Sequence, residues 1–483
     1  MSLLRPAFAV LGLVLNSLAA LMLLPLVLAI IDGSSNIFAF IYSIVITASF
    51  GVLCVLSGRQ RNDRITPRQM FLVTGLNWIA VSVISGLPFI FGGTHMTLVD
   101  AIFEATSGVT TTGSTVLHGL EYLPRDLLLW RSLTQWIGGL GIIGMAVAIF
   151  PYLRVGGMRL FQTESSDWTE NSTGRVREVA WKIIRTYLAL SLLCAISYWG
   201  LGMDWFNAVN HAMTTISTGG YSTSDASFGQ FSSNAFLWAG SFFMLASAVP
   251  IVLYYQSLHA RRWLIIKDQQ VRGFGLILAL MLLTLIGLRL LNGVEQNAFD
   301  LVTHSLFNLV SVITTTGYAS EDYGLWGGSA AILIFCLTFI GGCSGSTSGG
   351  VKIFRYQLLA LLTREHTLKS VHPVATIKRH YNKRQVGENI LVSTIAYFFI
   401  VLLCFAFFSV ALAVTGLDMV TSLTGAATAL MNVGPGLGDI IGPAGNFSPL
   451  SDVAKLLLCA AMLLGRLEFV TLLVLLSPAF WKW

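Results

Sequence analysis

Asp100–Gly113 reads DAIFEATSGVTTTG, Asn207–Gly220 reads NAVNHAMTTISTGG, His304–Gly317 reads HSLFNLVSVITTTG and Leu423–Gly436 reads LTGAATALMNVGPG. Each stretch has about ten residues able to form a short helix, then a small hydroxyl- or glycine-rich segment that ends on glycine. The terminal glycines are 107, 97 and 119 positions apart, a period too long for a solenoid repeat. The spacing fits a membrane module used four times. Irregular backbone at membrane depth survives only where it is buried in protein or lines a wet cavity. Four copies of such a segment therefore predict one shared cavity with backbone carbonyls gathered around it, the arrangement that replaces water around a dehydrated cation.

The sequence around these segments supports a membrane setting. Of 483 residues, 55% are hydrophobic and 11% charged, whereas soluble domains carry roughly 25% charged residues. Apolar runs near the length of about 20 residues that spans a bilayer occur at 7–31, 36–57, 69–92, 127–151, 180–202, 233–256, 273–292, 327–361, 388–416 and 453–480. The first is too long for the core of a signal peptide and is expected to be retained. The patterned segments follow the third, fifth, seventh and ninth runs. The expected fold is thus an all-α membrane protein, a pseudo-fourfold pore of four helix–pore loop–helix repeats plus two leading transmembrane helices. Its divisions are 1–68 for the leading helices and 69–179, 180–272, 273–387 and 388–483 for the repeats.

Charge gives the orientation. The net charge of +6 comes from short loops holding Arg59, Arg61, Arg64 and Arg68; Arg154, Arg159, Arg175 and Arg177; Arg261, Arg262, Lys267 and Arg272; and Arg364, Lys369, Lys378, Arg379, Lys383 and Arg384. Such grouping marks cytoplasmic loops rather than a nucleic-acid surface. The stretches 203–232, 293–325 and 417–452 contain no Lys or Arg, yet hold Asp204, Asp225, Glu295, Asp300, Glu321, Asp322, Asp418, Asp439 and Asp452. Both termini are therefore expected inside, with all four loops entering from outside. The six cysteines lie in or at apolar runs without paired spacing and read as buried thiols.

Within the loops, the small residues Thr111-Thr112, Thr218-Gly219, Thr315-Thr316 and Gly434-Pro435 let four strands approach an axis, and the following glycine permits positive φ. Hydroxyls of Thr110, Ser217 and Thr314 are expected at the inner end, with Val433 in that place in the fourth repeat. Two further features bear on gating. Arg466 falls midway along the last apolar run, near Glu468. The stretch 341–350 interrupts another run with five glycines, three serines, a threonine and a cysteine and is a poor helix.

The chain resembles the membrane subunits of the Trk/Ktr/HKT potassium-transporter superfamily, in the TrkH branch with two extra leading helices. Beside the loops, the likeness rests on Trp130-Arg131 with Gln135-Trp136-Ile137-Gly138-Gly139-Leu140-Gly141, on the stretch from Gly341 to Lys352, and on Gly465-Arg466. It implies potassium uptake across a bacterial inner membrane through a gated pore, with filter glycines at Gly113, Gly220, Gly317 and Gly436. Gly113, rather than serine, implies K⁺ over Na⁺. The gate implied is an intramembrane loop including Gly345, Ser346 and Thr347, with Lys352 and Arg466. The partners implied are a second copy of the chain and a cytosolic TrkA-like nucleotide-binding subunit docking on the loops at 258–272 and 362–385. K⁺ is expected as cargo, with no cofactor held by this chain. A symporter coupling K⁺ to H⁺ or Na⁺ through Glu104, His211 or Glu468 stays open. A membrane enzyme is disfavoured, since no nucleophile–base pair or metal-ligand cluster occurs in the apolar runs.

Overall fold

The computed structural model describes residues 4–58, 66–94, 96–148, 173–293, 297–375, 377–382 and 384–482. Arg59, Arg61, Arg64, Arg154, Arg159, Glu295 and Lys383 lie outside the described residues, as do the side chains of Arg175 and Arg177. Helices dominate. The exceptions among the described residues are two pairs of two-residue strands: Ile340–Gly341 runs parallel to Val351–Lys352, and His380–Tyr381 antiparallel to Arg384–Gln385.

Polarity is distributed inside out relative to a soluble domain. Ile31, Leu283 and Phe407 remain 73%, 69% and 64% exposed, and large apolar side chains like these cover the long helices. Thr111, Ser217, Thr315 and Asn432 are buried at the centre. Lipid solvates the first group without penalty, and protein encloses the second. The two leading segments, Arg5–Asp32 and Ile37–Gly58, pack through small residues: Gly12 lies against the Gly51 carbonyl and Val55, and Gly58 against the Ala9 backbone. Such contacts supply close van der Waals approach where lipid offers no hydrophobic drive between helices.

Among the described residues, six helices are long and apolar enough to cross a bilayer, and two bent helix pairs bring the number to eight if each pair counts as one span. Arg125–Ala148, and Gly328–Thr338 with Ile353–Val371, occupy the places of the other two predicted runs. The runs at 233–256 and 453–480, expected as single helices, are broken. Asn234–Ala248 turns by 87° into Ile251–Ala260 across Pro250, and Asp452–Arg466 turns by 115° into Val470–Leu476. Proline accounts for the first break, because it lacks an amide hydrogen and clashes with the preceding turn.

The four short helices that position the site begin alike. They span Leu98–Val109, Trp205–Ile216, Ala298–Ile313 and Met419–Met431. Side-chain oxygens of Thr97, Asp204, Asn297 and Asp418 accept the amide hydrogens of Asp100, Asn207, Phe299 and Thr421, satisfying first-turn donors that the helix leaves free. At about 1.5 Å per residue, none is long enough to cross the bilayer.

Candidate functional site

Each short helix ends in one turn geometry. The residues Thr111, Thr218, Thr315 and Asn432 adopt φ of 53°, 53°, 58° and 56°. The next amide reaches back five residues: Thr112 to Ser107, Gly219 to Thr214, Thr316 to Ser311 and Val433 to Thr428, at 2.8–3.0 Å. This is the Schellman closure of a helix C-terminus. A β-branched threonine in the left-handed region is a steric outlier costing on the order of 1–3 kcal/mol. Three occur here in equivalent places.

Two residues after each of these turns the chain is again left-handed, at Gly113, Gly220, Gly317 and Gly434, with φ of 91°, 78°, 81° and 112°. These glycines close a circle. A β-carbon on Gly113 would collide with the Gly219 carbonyl oxygen, one on Gly220 with that of Thr316, and one on Gly317 with that of Val433. One on Gly434 would stand 2.8 Å from that of Thr112. In every case the carbonyl belongs to the residue just before the next repeat's glycine. Four equivalent carbonyls thus interleave with four equivalent glycines, and the fourth repeat returns to the first.

This register corrects the expected one in the fourth repeat. Gly434, not Gly436, is the counterpart of Gly113. Gly436 lies off the ring, where a β-carbon would meet Ile441 and Thr424, and it has no positive φ. Val433 therefore corresponds to Thr112, and Pro435 follows the ring instead of preceding its glycine. The physical cause is Asn432, whose short polar side chain tolerates the left-handed turn and ends the helix. The hydroxyls of Thr110 and Thr314 donate back to the Thr106 and Val310 carbonyls at 2.7 Å and contact the hydroxyls of Thr112 and Thr316.

Behind the ring, one buried or half-buried side chain per short helix ties down the outgoing strand. Glu104 accepts the Val116 amide at 3.0 Å, and His211 Nε2 meets the Ser222 hydroxyl at 3.1 Å. Asn308 accepts the Ser320 amide at 3.2 Å, and Thr424 accepts the Leu437 amide at 3.1 Å. Adjacent repeats are also tied. The Tyr221 and Tyr318 hydroxyls donate to the Glu104 and His211 carbonyls, and Ser114 donates to the Gly434 carbonyl. Gln135 brackets the second repeat, donating to the Gly219 carbonyl at 2.6 Å and accepting the Tyr221 amide at 3.0 Å.

The loop 342–350 begins and ends at the parallel strand pair and docks directly on the turns that precede the ring. Gly349 donates its amide to the Thr315 hydroxyl and Gly350 to the Met431 carbonyl at 2.8 Å. Its far side seats on the break in the second repeat, where Cys343 donates to the Ala248 carbonyl and Ile251 to that of Gly345. Ser344 donates to the side chain of buried Gln270 at 2.7 Å. Gly345 turns the loop with φ of 80°, and Ser346 donates to the Cys343 carbonyl at 2.6 Å.

Two cations bond this loop, and a third pairs beside it. Arg466, 2% exposed, donates to the Thr347 carbonyl at 3.0 Å, and Lys352 Nζ donates to the Ser348 carbonyl. Arg355 pairs with Glu468 at 2.7 Å and stacks on Tyr397 at 3.6 Å. The carboxylate near Arg466 in sequence is thus paired with Arg355, a partner that sequence spacing does not point to. Gly345, Ser346, Gly349, Lys352, Arg466 and Glu468 line one cavity. Outside the ring, a polar vestibule exposes Gly113, Gly220, Gly317 and Gly434 together, walled by Arg131 and Asp225 among others.

Comparison with known proteins gives a consistent picture. The profile of the TrkH family, described as cation transport protein, matches residues 35–482. The Trk system potassium uptake protein TrkI of Halomonas elongata is 45% identical over 478 residues, covering 99% of this chain and 97% of its own. The Trk system potassium uptake protein TrkH of Escherichia coli K12 is 35% identical, covering 99% of both chains. The crystal structure of the potassium transporter TrkH from Vibrio parahaemolyticus superposes with a TM-score of 0.92 at 33% identity, again over 99% of both chains.

Proposed function

The chain belongs to the TrkH family of cation transport proteins, and from that premise we propose that it takes up potassium through a gated, channel-like pore. The observation that carries this reading is the circle of four glycines, each against the carbonyl of the next repeat. Those carbonyls stand in for the hydration shell of K⁺ as it passes. The C-terminal ends of the four short helices precede the ring and add negative potential for a cation. Left-handed threonines held by buried hydrogen bonds resist the small contraction that a smaller ion would need.

The loop 342–350 is the gate, closed in this conformation by its bonds to Thr315 and Met431 on one side and to Arg466 on the other. Arg466 and Lys352 add positive charge below the ring, which opposes a cation there. Opening requires these few contacts to be exchanged, as a cytosolic nucleotide-binding subunit beneath a dimer of this chain would do. The channel reading is favoured over a proton-coupled one by the placement of Glu104 and His211, which face strand amides and hydroxyls behind the ring. Both termini lie on the cytosolic side of the inner membrane.

The test is flux through purified protein in liposomes. K⁺ uptake should exceed Na⁺ uptake, and Gly113→Ser should lower that preference. Equal K⁺ and Na⁺ flux in the unmodified protein would refute the reading.

A further inference from the structure

The four ties behind the ring are equivalent in place and unequal in chemistry. Asn308 and Thr424 are neutral, and His211 meets only hydroxyl and carbonyl partners or the Gln230 amide. Of the four, Glu104 is the one bonded to a buried cation: Arg131 Nε lies 2.8 Å from its carboxylate, and both side chains are almost wholly buried. The guanidinium does more than neutralise. Arg131 sits on the helix Arg125–Ala148 of the first repeat, and its Nη1 donates to the Ser222 carbonyl of the second repeat at 3.0 Å. Its Nη2 donates to Thr115 at 3.2 Å, and its plane stacks on Tyr221 at 4.2 Å. Glu104 meanwhile accepts from Thr115 and Val116. One ion pair therefore holds the outgoing strands of two repeats, within three residues of Gly113 and Gly220. A guanidinium spreads its donors over three nitrogens in one rigid plane, and that reach to three separated oxygens is beyond the single nitrogen of a lysine.

On the reading of the ring as an ion filter, we propose that the buried Glu104–Arg131 pair is a positioning element for ion discrimination, fixing the gap between the first and second repeats at the outer mouth. It acts through Gly113 and Gly220 and does not touch the ion. Because Arg131 also walls the vestibule, the pair has a second effect. Glu104 cancels a positive charge that would otherwise repel cations at the entrance.

The two effects separate by experiment in proteoliposomes containing the full chain, reading the K⁺ over Na⁺ permeability ratio and the external K⁺ giving half-maximal flux. Arg131→Lys keeps the charge and loses the fork, so the ratio falls by about tenfold, the worth of one charge-assisted hydrogen bond, while the half-maximal concentration stays. Glu104→Gln uncovers the charge, so the half-maximal concentration also rises. The double variant Glu104→Gln with Arg131→Gln restores that concentration and leaves the ratio low. Size-exclusion elution verifies folding. Where a variant that unbalances the buried charge elutes aggregated, Arg131→Lys and Glu104→Asp, both charge-preserving, decide the outcome through the permeability ratio. A wild-type ratio in Arg131→Lys overturns the proposal and leaves the pore reading standing. An unselective wild-type protein defeats the pore reading itself.

Discussion

The ring and the loop beneath it are built on opposite plans. Each of the four ring segments satisfies its own turn, tightens through left-handed residues and presses on its neighbour's carbonyl. The loop 342–350 occurs once, is rich in glycine, and borrows its bonds from Thr315, Met431, Gln270, Arg466 and the broken helix of the second repeat. Moving one ring segment would disturb all four. The loop's bonds can be given up singly. Rigidity thus lies where ions would be discriminated, and exchangeable contacts lie where the path would open.

The contrast breaks most severely at the ring. Gly220→Ala places a β-carbon on the Thr316 carbonyl oxygen at a backbone φ of 78°. The two strands must part to make room, so K⁺ flux into liposomes should fall more than in any other variant considered. Undiminished flux would mean that the ring is not on the ion path.

At the loop the sign reverses. Arg466→Ala removes the donor to the Thr347 carbonyl, a charge-assisted bond worth roughly 1.5–3 kcal/mol. Flux without any regulatory partner should rise by about tenfold or more. Gln270→Leu removes the neutral bond to Ser344, worth about 1 kcal/mol, and should raise that flux by about fivefold. A fall in flux for either variant would count against loop closure.

The smallest effect is expected away from both ring and loop, at the pairing of Glu365 with Arg379. The Arg379 guanidinium, helped by Lys369, holds the Glu365 carboxyl down to about 2, from an ordinary value of 4.5. A lowered carboxylate stabilises the folded state fully above its unfolded value and loses that effect as pH falls through the folded one. Hydrogen exchange at 377–382, corrected for the intrinsic pH dependence of exchange, should therefore show unchanged protection between pH 7 and pH 5, and weaker protection only in stronger acid. Release near pH 6 would contradict the pairing.

The sequence made the repeats legible because each carries a short apolar helix, small residues and glycine in one order. It also showed the interruption at 341–350, where glycine excludes a helix. The fourth register was harder to read. Two glycines flank Pro435, and the deciding residue is Asn432, a helix-ending signal with no threonine beside it to match the other repeats. Partnerships across the chain left no trace in local pattern. Arg355 with Glu468, Arg131 with Glu104 and Gly349 with Thr315 are 113, 27 and 34 residues apart, and only folding brings them together. Apolar run length hid both broken helices: Pro250 marks the first break in the sequence itself, whereas the break after Arg466 has no such signal.

The most direct measurement is the reversal potential of the purified protein in a planar bilayer, with K⁺ on one side and Na⁺ on the other, comparing Gly434→Ser with Gly436→Ser. The ring of Gly113, Gly220, Gly317 and Gly434 requires a K⁺-selective wild-type potential, a collapse toward zero in Gly434→Ser, and near wild-type behaviour in Gly436→Ser. Collapse in Gly436→Ser with Gly434→Ser unchanged, or no selectivity in the wild type, would contradict it.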